Sequence, residues 1–137
     1  MKIAIGADHA GFEYKQKIVN YLTGKGVDIQ DFGTFSTDSV DFPDFAHPTA
    51  EAVETGKADF GILLCGSGQG VNITANKHQG VRSALCWNTD IARLSSQHNN
   101  ANVIALPARF VAFEYAIEMI EVFLNTEFEG GRHQARV

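Results

Sequence analysis

Short apolar runs of strand length alternate along the chain with longer stretches whose apolar residues recur at helical spacing. This pattern predicts strands at 3–5, 27–32, 60–64, 81–86 and 102–106. It predicts helices at 11–25, 43–56, 71–77, 88–97 and 111–125. Because strands and helices alternate from end to end, the predicted fold class is α/β, with a five-stranded parallel sheet covered by helices on both faces.

The pattern also makes two specific predictions, one about the faces of the first helix and one about the end of the fifth strand. In the first predicted helix, Ile18 and Leu22 are expected to face inward, whereas Lys15 and Lys17 are expected to face outward. The fifth predicted strand is expected to be stopped by Pro107.

Length and composition favour one globular domain that spans residues 1–137. Hydrophobic residues make up 45% of the chain, which is enough for a sizeable core. A net charge of −5 without a basic stripe argues against a nucleic-acid partner. No apolar run approaches about 18 residues, and the N-terminus turns polar too early for a signal peptide, so we expect no membrane partner. Cys65 and Cys86 each end an apolar run without metal-ligand spacing, which is typical of reduced thiols in a cytoplasmic protein.

A glycine-rich loop follows the central predicted strand directly. The motif CGSGQG at 65–70 places Gly66, Gly68 and Gly70 after a buried run and before a helix. Such a junction points backbone N–H groups at one small volume, which suits an anion or a developing oxyanion. The next strand does not end in the acidic residue of a dinucleotide-binding unit, and the loop lacks the lysine of a P-loop. A dinucleotide site is therefore disfavoured.

Cys65 is the side chain with nucleophile or base chemistry at this loop. A cysteine at a strand end is commonly an inert core residue, and that interpretation stays open. The position directly before the amide groups favours a reactive thiol, because the same local field stabilises a thiolate. Cys86 is the structural comparison.

Two further pairs of polar residues could reach a ligand. Asp8 and His9 follow the first strand and could bind hydroxyl and phosphate groups, although Asp8 could equally cap the next helix. Asp8, His9 and Cys65 all follow strand ends, so a parallel sheet would bring them to one edge. His98, next to Asn99, ends the fourth predicted helix. It is either a cap that complements the helix dipole or a proton donor and acceptor near neutral pH.

The polar tail at 126–137 carries two arginines at helical spacing. Arg132 and Arg136 would lie on one side of any helix there, and like charges at that spacing repel each other. The pair therefore indicates an anion between the two guanidinium groups, while a solvated basic terminus is the alternative. Because tails often extend from a domain, this segment is expected to complete a phosphate site, including one in a neighbouring subunit.

Six motifs occur in one order along the chain: GADHAG at 6–11, DFP at 41–43, CGSGQG at 65–70, ANK at 75–77, QHNNAN at 97–102 and EGGRH at 129–133. Together they resemble the sugar-phosphate isomerase family, which includes ribose-5-phosphate isomerase B and the allose- and galactose-6-phosphate isomerases. The resemblance runs in register over essentially the whole chain. Motifs in a shared order are far more specific than any single one.

The resemblance implies a Rossmann-like three-layer α/β/α sandwich that acts as a homodimer or a dimer of dimers. It also implies an isomerase that interconverts a phosphorylated aldose and ketose, with no metal and no cofactor. Removing a proton next to a carbonyl needs a base, donors for the developing oxyanion and a clamp on a remote phosphate. The residues singled out above supply each of these.

The resemblance also implies a role for each residue. Cys65 would be the base that moves a proton between C1 and C2, a role that a glutamate at the position of Val71 takes in another branch. The Ser67 hydroxyl would help protons move between the two oxygens, and His98 would open the sugar ring. The oxyanion nest would consist of Gly66, Ser67, Gly68 and Gly70. Sugar hydroxyls would be held by Asp8 and Asn99, and the phosphate by His9, Arg109, Arg132 and Arg136, some of them donated across a dimer interface.

The predicted function is the interconversion of ribose 5-phosphate and ribulose 5-phosphate. Relatives of the cysteine branch often have tyrosine where this chain has Phe42, and the missing hydroxyl leaves the preferred sugar open. One alternative is an allose-6-phosphate or galactose-6-phosphate isomerase. Others are a non-catalytic flavodoxin-like module that binds a nucleotide, and an inactive partner subunit of a hetero-oligomeric isomerase. The intact Cys65, His98 and arginine set argues against the inactive subunit.

Overall fold

Strands and helices alternate in the computed structural model, which describes residues 1–137. The strands are β1 (Lys2–Ala7), β2 (Asp28–Asp31), β3 (Phe60–Cys65), β4 (Ser83–Leu85) and β5 (Val103–Pro107). The helices are α1 (Phe12–Gly24), α2 (Pro43–Glu54), α3 (Gln69–Ala75), α4 (Thr89–Gln97) and α5 (Phe113–Asn125), and a 3₁₀ turn at Gly131–His133 follows. None of the helices combines the length and hydropathy needed to span a membrane.

All strand pairs are parallel, and the sheet has the order β2-β1-β3-β5-β4. The chain leaves β1 toward β2 on one side and returns to β3 on the other, so the connections diverge after β1 and β3. Such a switch point opens a crevice at the carboxyl ends of the two strands, where ligands bind in folds of this type. Ala7 pairs with Leu64, and the Asp8 N–H donates to the Leu64 carbonyl at 3.2 Å. The residues that follow β1 and β3 therefore lie side by side.

The sheet is buried on both faces, so alternate strand residues enter two separate apolar layers. On one face, residues such as Ile5, Ile62 and Ile104 pack against α1, α4 and α5. On the other face, Leu63 and Cys65 pack against α2 and α3. The α/β class and the three-layer, five-stranded parallel architecture are thus confirmed.

The expectation that Lys15 faces outward is wrong. Its side chain is fully buried, and its ammonium group lies 2.7 Å from a carboxylate oxygen of Asp31. The ring of Phe35 covers the same ammonium at 5.0 Å from the ring centroid. Burial of a lysine is tolerated only with such a partner. Asp31 ends β2 and Phe35 follows it, so helical spacing within α1 does not reveal either group.

Two strand ends differ in detail from the pattern. β5 ends at Pro107, as predicted, but the proline is itself the last strand residue, paired with Cys65. The missing N–H costs nothing there, because the next ladder hydrogen bond runs from the Ala108 N–H to the Cys65 carbonyl at 2.9 Å. Before β4, a side chain takes the place of a backbone partner: Asn102 Oδ1 accepts a hydrogen bond from the Arg82 N–H at 2.8 Å. β4 is therefore shorter than the predicted strand at 81–86.

Candidate active site

A cleft of roughly 390 Å³ lies at the carboxyl ends of β1 and β3, at the switch point of the sheet. We call it the thiol cleft. Of the predicted site residues it is lined by Asp8, His9, Cys65, Gly66, Ser67, Gly70 and Arg109. Because these side chains follow different strands, the parallel topology alone brings them together.

Cys65 ends β3 and opens onto this cleft, although only 6% of the residue surface is exposed. Cys86 does not line this cleft. It is fully buried, and burial raises the pKa of its thiol to about 11. A thiol in that state neither reaches a ligand nor forms a thiolate near neutral pH.

We predict that iodoacetamide at pH 8 modifies this protein once per chain, at Cys65. Access through the cleft makes Cys65 reactive, whereas burial and the raised pKa protect Cys86. Peptide mapping by mass spectrometry locates the adduct. Modification of Cys86 before Cys65 in the folded protein would contradict this assignment.

The glycine loop leaves several backbone donors free beside the thiol. The Gln69 N–H donates to Ser67 Oγ at 3.2 Å, but the N–H groups of Gly66, Gly68 and Gly70 have no acceptor in the chain. Helix α3 begins at Gln69, two residues earlier than predicted, so Gly70 already belongs to its first turn. Free amides that line a cleft form a cradle for a negative oxygen.

Gly68 is required by backbone conformation and by space. Its φ is +74°, in the left-handed region that favours glycine, and an added Cβ would lie 2.5 Å from Leu85 Cδ1 and 3.1 Å from the Leu106 carbonyl carbon. The loop can therefore adopt this backbone conformation only with glycine at this position, although Gly68 itself does not line the thiol cleft.

Gly68→Ala is predicted to lower the free energy of unfolding by about 3 kcal/mol, from the left-handed backbone and the steric clash together. The displaced loop should also lose its catalytic amides, so turnover falls even in the fraction that is folded. Urea denaturation and steady-state kinetics measure the two effects. Gly24→Ala is the control, since an added Cβ there meets nothing within 4 Å. Equal stability of both variants would refute the steric argument.

Asp8 and His9 are held by the backbone around them. Asp8 Oδ1 accepts hydrogen bonds from the N–H groups of Ala10 at 2.9 Å and Gly11 at 3.2 Å, which forms an Asx turn before α1. The N-cap of α1 is Gly11, without a side-chain cap, so the interpretation of Asp8 as a helix cap is not confirmed. His9 Nδ1 accepts from the Val40 N–H at 3.2 Å, which puts the ring hydrogen of neutral His9 on Nε2. His9 therefore keeps one N–H donor for a ligand in the cleft.

Arg109 brings a positive charge to the same cleft. Its backbone N–H donates to the Gly66 carbonyl at 3.0 Å, and its side chain lies over Gly66, where an added Cβ would be 3.3 Å from a guanidinium nitrogen. No acidic side chain of the chain forms an ion pair with it. A guanidinium without a protein partner suits an anionic ligand group.

Two aromatic rings line the cleft as well. The Phe42 ring packs against Gly70, where an added Cβ would lie 2.7 Å from the ring. Phe110 is 77% exposed, and the sequence interpretation missed it because a single phenylalanine in a loop carries no periodic signal.

The other predicted residues lie away from the thiol cleft. Helix α4 runs back toward the amino ends of the strands, and His98 is its C-terminal cap residue, as the alternative interpretation expected. Asn99 lines a separate cavity of roughly 330 Å³. Arg132 and Arg136 belong to the tail, which is anchored beside α4 by a hydrogen bond from the Glu129 N–H to the Gln97 carbonyl at 2.9 Å. Within one chain, the predicted site residues therefore lie in two groups, one at the carboxyl ends of the strands and one toward their amino ends.

His98 lies in a group that the sequence interpretation did not assemble, and we call His98, Glu129 and His133 the histidine cluster. The two imidazole rings stack with centroids 4.3 Å apart and an interplanar angle of 15°. One candidate ligand atom from each residue lies within 4.8 Å of the others. A metal binds in the plane of an imidazole, so stacked, nearly parallel rings cannot both ligate one ion. The geometry suits proton and charge handling instead. The spacing of Glu129 and His133, four residues apart, was the available signal.

A thiol beside free amides and an unpaired guanidinium, at the switch point of an α/β sandwich, suits an enzyme that moves protons on small anionic molecules. The family model described as Ribose/Galactose Isomerase matches residues 3–137. Ribose-5-phosphate isomerase B of Escherichia coli is 46% identical over 136 residues, which cover 99% of this chain and 91% of that protein. The chain therefore belongs to the ribose/galactose isomerase family.

Solved structures agree with this assignment. The structure of ribose-5-phosphate isomerase B from Clostridium thermocellum superposes with a TM-score of 0.99 at 47% identity, covering 100% of this chain and 93% of that one. The enzyme from Mycoplasma genitalium, solved with bound ribulose-5-phosphate, has a TM-score of 0.95 at 42% identity and covers 98% of this chain and 90% of that one.

Proposed function

We propose that this protein interconverts ribose 5-phosphate and ribulose 5-phosphate by proton transfer between C1 and C2. The single observation that carries the proposal is the Cys65 thiol beside the free amides of the loop at 66–70, in a cleft that also holds Arg109. Family membership and the ribulose-5-phosphate bound to the relative from Mycoplasma genitalium support the sugar class.

In the proposed reaction, Cys65 as thiolate removes the proton from C2 of the open-chain aldose. The electrons move to the C1 carbonyl oxygen and form an enediolate, whose negative oxygen accepts hydrogen bonds from the loop amides. Each such donor contributes about 3 kcal/mol to transition-state stabilisation. The Ser67 hydroxyl, which lines the same cleft, carries a proton between O1 and O2. The thiol then returns its proton to C1, and the ketose results.

The phosphate anchors the far end of the substrate in this proposal. His9 and Arg109 line the cleft and would bind it, while Asp8 would hold a hydroxyl with its remaining carboxylate oxygen. Binding energy from the phosphate fixes C1 and C2 against the thiol, which saves the entropy of orienting them during reaction.

The proposed site is completed by a second copy of the chain. Ring opening requires His98, and His98, Asn99, Arg132 and Arg136 all lie away from the thiol cleft of their own chain. In a symmetric homodimer, or a dimer of dimers, these residues of one subunit would lie over the thiol cleft of the other. In that arrangement the tail at 126–137 completes the phosphate site of the neighbour.

The proposed reaction uses no metal, cofactor, nucleic acid or membrane. Each proton is handled by a side chain, and the negative charge is held by amides. Both cysteines are free thiols, which supports the expected cytoplasmic location.

The decisive assay is turnover of ribose 5-phosphate by the purified protein in excess EDTA. We expect ribulose 5-phosphate to form at an undiminished rate, and allose 6-phosphate and galactose 6-phosphate to react more slowly in the same panel. Absence of turnover together with a thermal shift caused by a nucleotide would favour the nucleotide-binding alternative. Faster turnover of a six-carbon sugar phosphate would reassign the substrate within the family.

A further inference from the structure

The histidine cluster is built by the way the tail crosses the end of α4. His98 caps α4, and the tail is held there by the hydrogen bond from the Glu129 N–H to the Gln97 carbonyl. Gly130 and Gly131 have φ values of +70° and +57°, so the chain reverses sharply after Glu129. This reversal lays the His133 ring over the His98 ring, with centroids 4.3 Å apart.

The Glu129 carboxylate lies near the Nε2 atoms of both stacked rings. Oε2 is 3.9 Å from His98 Nε2, and Oε1 is 3.9 Å from His133 Nε2. One carboxylate is thus within charge-interaction range of both imidazoles, although it is hydrogen-bonded to neither. A negative charge in this position can offset the positive charge of an imidazolium ring.

His133 is the unusual member of the cluster. The residue is only 7% exposed, and its Nε2 has no hydrogen-bond partner in the chain. Burial, and then the neighbouring Arg132 charge, lower the pKa of His133, so its ring is neutral near neutral pH. A buried, unpartnered nitrogen reduces stability, which a role in folding alone does not explain. A neutral ring has an advantage as a stacking partner, because it does not repel a proton on His98.

We propose that His133 and Glu129 are positioning residues for His98, with the His133 ring fixing the plane of the His98 imidazole and the Glu129 carboxylate compensating the charge of its protonated form. This inference rests on the proposed function, in which His98 opens the sugar ring. In that step the C1–O4 bond breaks and its electron pair goes to O4, which takes the proton that His98 donates. The hydroxyl on C1 gives its proton to solvent water, and its O–H electron pair forms the aldehyde carbonyl. A ring held in one orientation delivers its proton without first losing rotational freedom.

Paired variants at position 133 separate stacking from other effects. His133→Ala removes the stacked ring, whereas His133→Phe keeps a flat ring and removes its nitrogens. With ribose 5-phosphate, we expect His133→Ala to lower kcat about tenfold with KM changed less than about twofold, and His133→Phe to recover most of kcat. Glu129→Gln should also lower kcat. Circular dichroism at the assay temperature checks that each variant is folded.

A second readout isolates ring opening from the later proton transfer. Ribulose 5-phosphate cannot form a five-membered ring, because its O5 is esterified, so exchange of its C1 proton with D₂O needs Cys65 but not His98. Proton NMR should show that His133→Ala exchanges this proton at nearly the wild-type rate while its kcat from ribose 5-phosphate falls. If both rates fall equally, His133 acts through the general structure of the site and the inference is overturned.

Failure of the inference and failure of the proposed function give different results. If the wild-type protein turns over ribose 5-phosphate and His133→Ala has the same kcat, the positioning role is overturned while the isomerase remains. A raised KM with unchanged kcat would reassign His133 to substrate binding. If the wild-type protein has no turnover, the proposed function itself fails and the inference falls with it.

Discussion

Replacement of Cys65 by alanine is expected to abolish isomerisation, with kcat lowered by about 10³- to 10⁴-fold. The thiol is the only proposed group that moves the carbon-bound proton, since Asp8 and His9 in the same cleft are assigned to a hydroxyl and to the phosphate. The amides of the glycine loop remain in Cys65→Ala, so binding of the phosphorylated sugar should persist. Steady-state kinetics and calorimetric titration with ribose 5-phosphate measure the two properties separately.

Cys86→Ala is the matched control for this experiment. Cys86 is fully buried in the layer under α1, α4 and α5, so its loss creates a small cavity and affects stability. Activity per folded molecule should stay near that of the wild type. Substantial turnover by Cys65→Ala would move the base to another residue and remove the central element of the proposed mechanism.

A mixture of two inactive variants is expected to regain activity if the site is shared between subunits. Cys65→Ala damages the thiol cleft, and His98→Gln damages the edge that the neighbouring subunit supplies. When the two chains are unfolded together and refolded at equal concentration, random pairing gives about half mixed dimers, each with one undamaged site, so about a quarter of wild-type activity should return. Activity measured before and after mixing checks this result.

The matched control mixes Cys65→Ala with Ser67→Ala. Both positions line the thiol cleft of the same chain, so every site in a mixed dimer carries one substitution. This mixture should recover no activity. Recovery in the control, or none with His98→Gln, would contradict a site built from Cys65 of one chain and His98 of another.

The fold could be predicted because its determinants are local. Apolar runs of strand length and apolar residues at helical spacing report burial directly, and the alternation of the two restricts the topology to a parallel sheet. The convergence of Asp8, His9 and Cys65 was predictable for the same reason, since the carboxyl ends of parallel strands share one edge. The resemblance to sugar-phosphate isomerases supplied the roles, which local patterns do not contain.

The predictions that were wrong share one cause, which is contact between residues far apart in the sequence. Lys15 was predicted to be exposed, yet Asp31 and Phe35 bury it. The fourth strand was predicted over 81–86, yet the Asn102 side chain accepts the Arg82 N–H and β4 begins at Ser83. In both cases the deciding partner lies outside the predicted element, so no window of neighbouring residues reports it.

The sequence by itself determined the alternating elements, the glycine loop with its thiol, and the family to which the chain belongs. Only the tertiary structure decided which residues share a cleft. It places Arg109 and Cys65 in the same cleft, and it places His98 toward the other end of the strands, beside Glu129 and His133. The physical reason is that hydrophobic periodicity encodes burial along one element. The meeting of distant side chains depends instead on strand order, helix direction and the path of the tail.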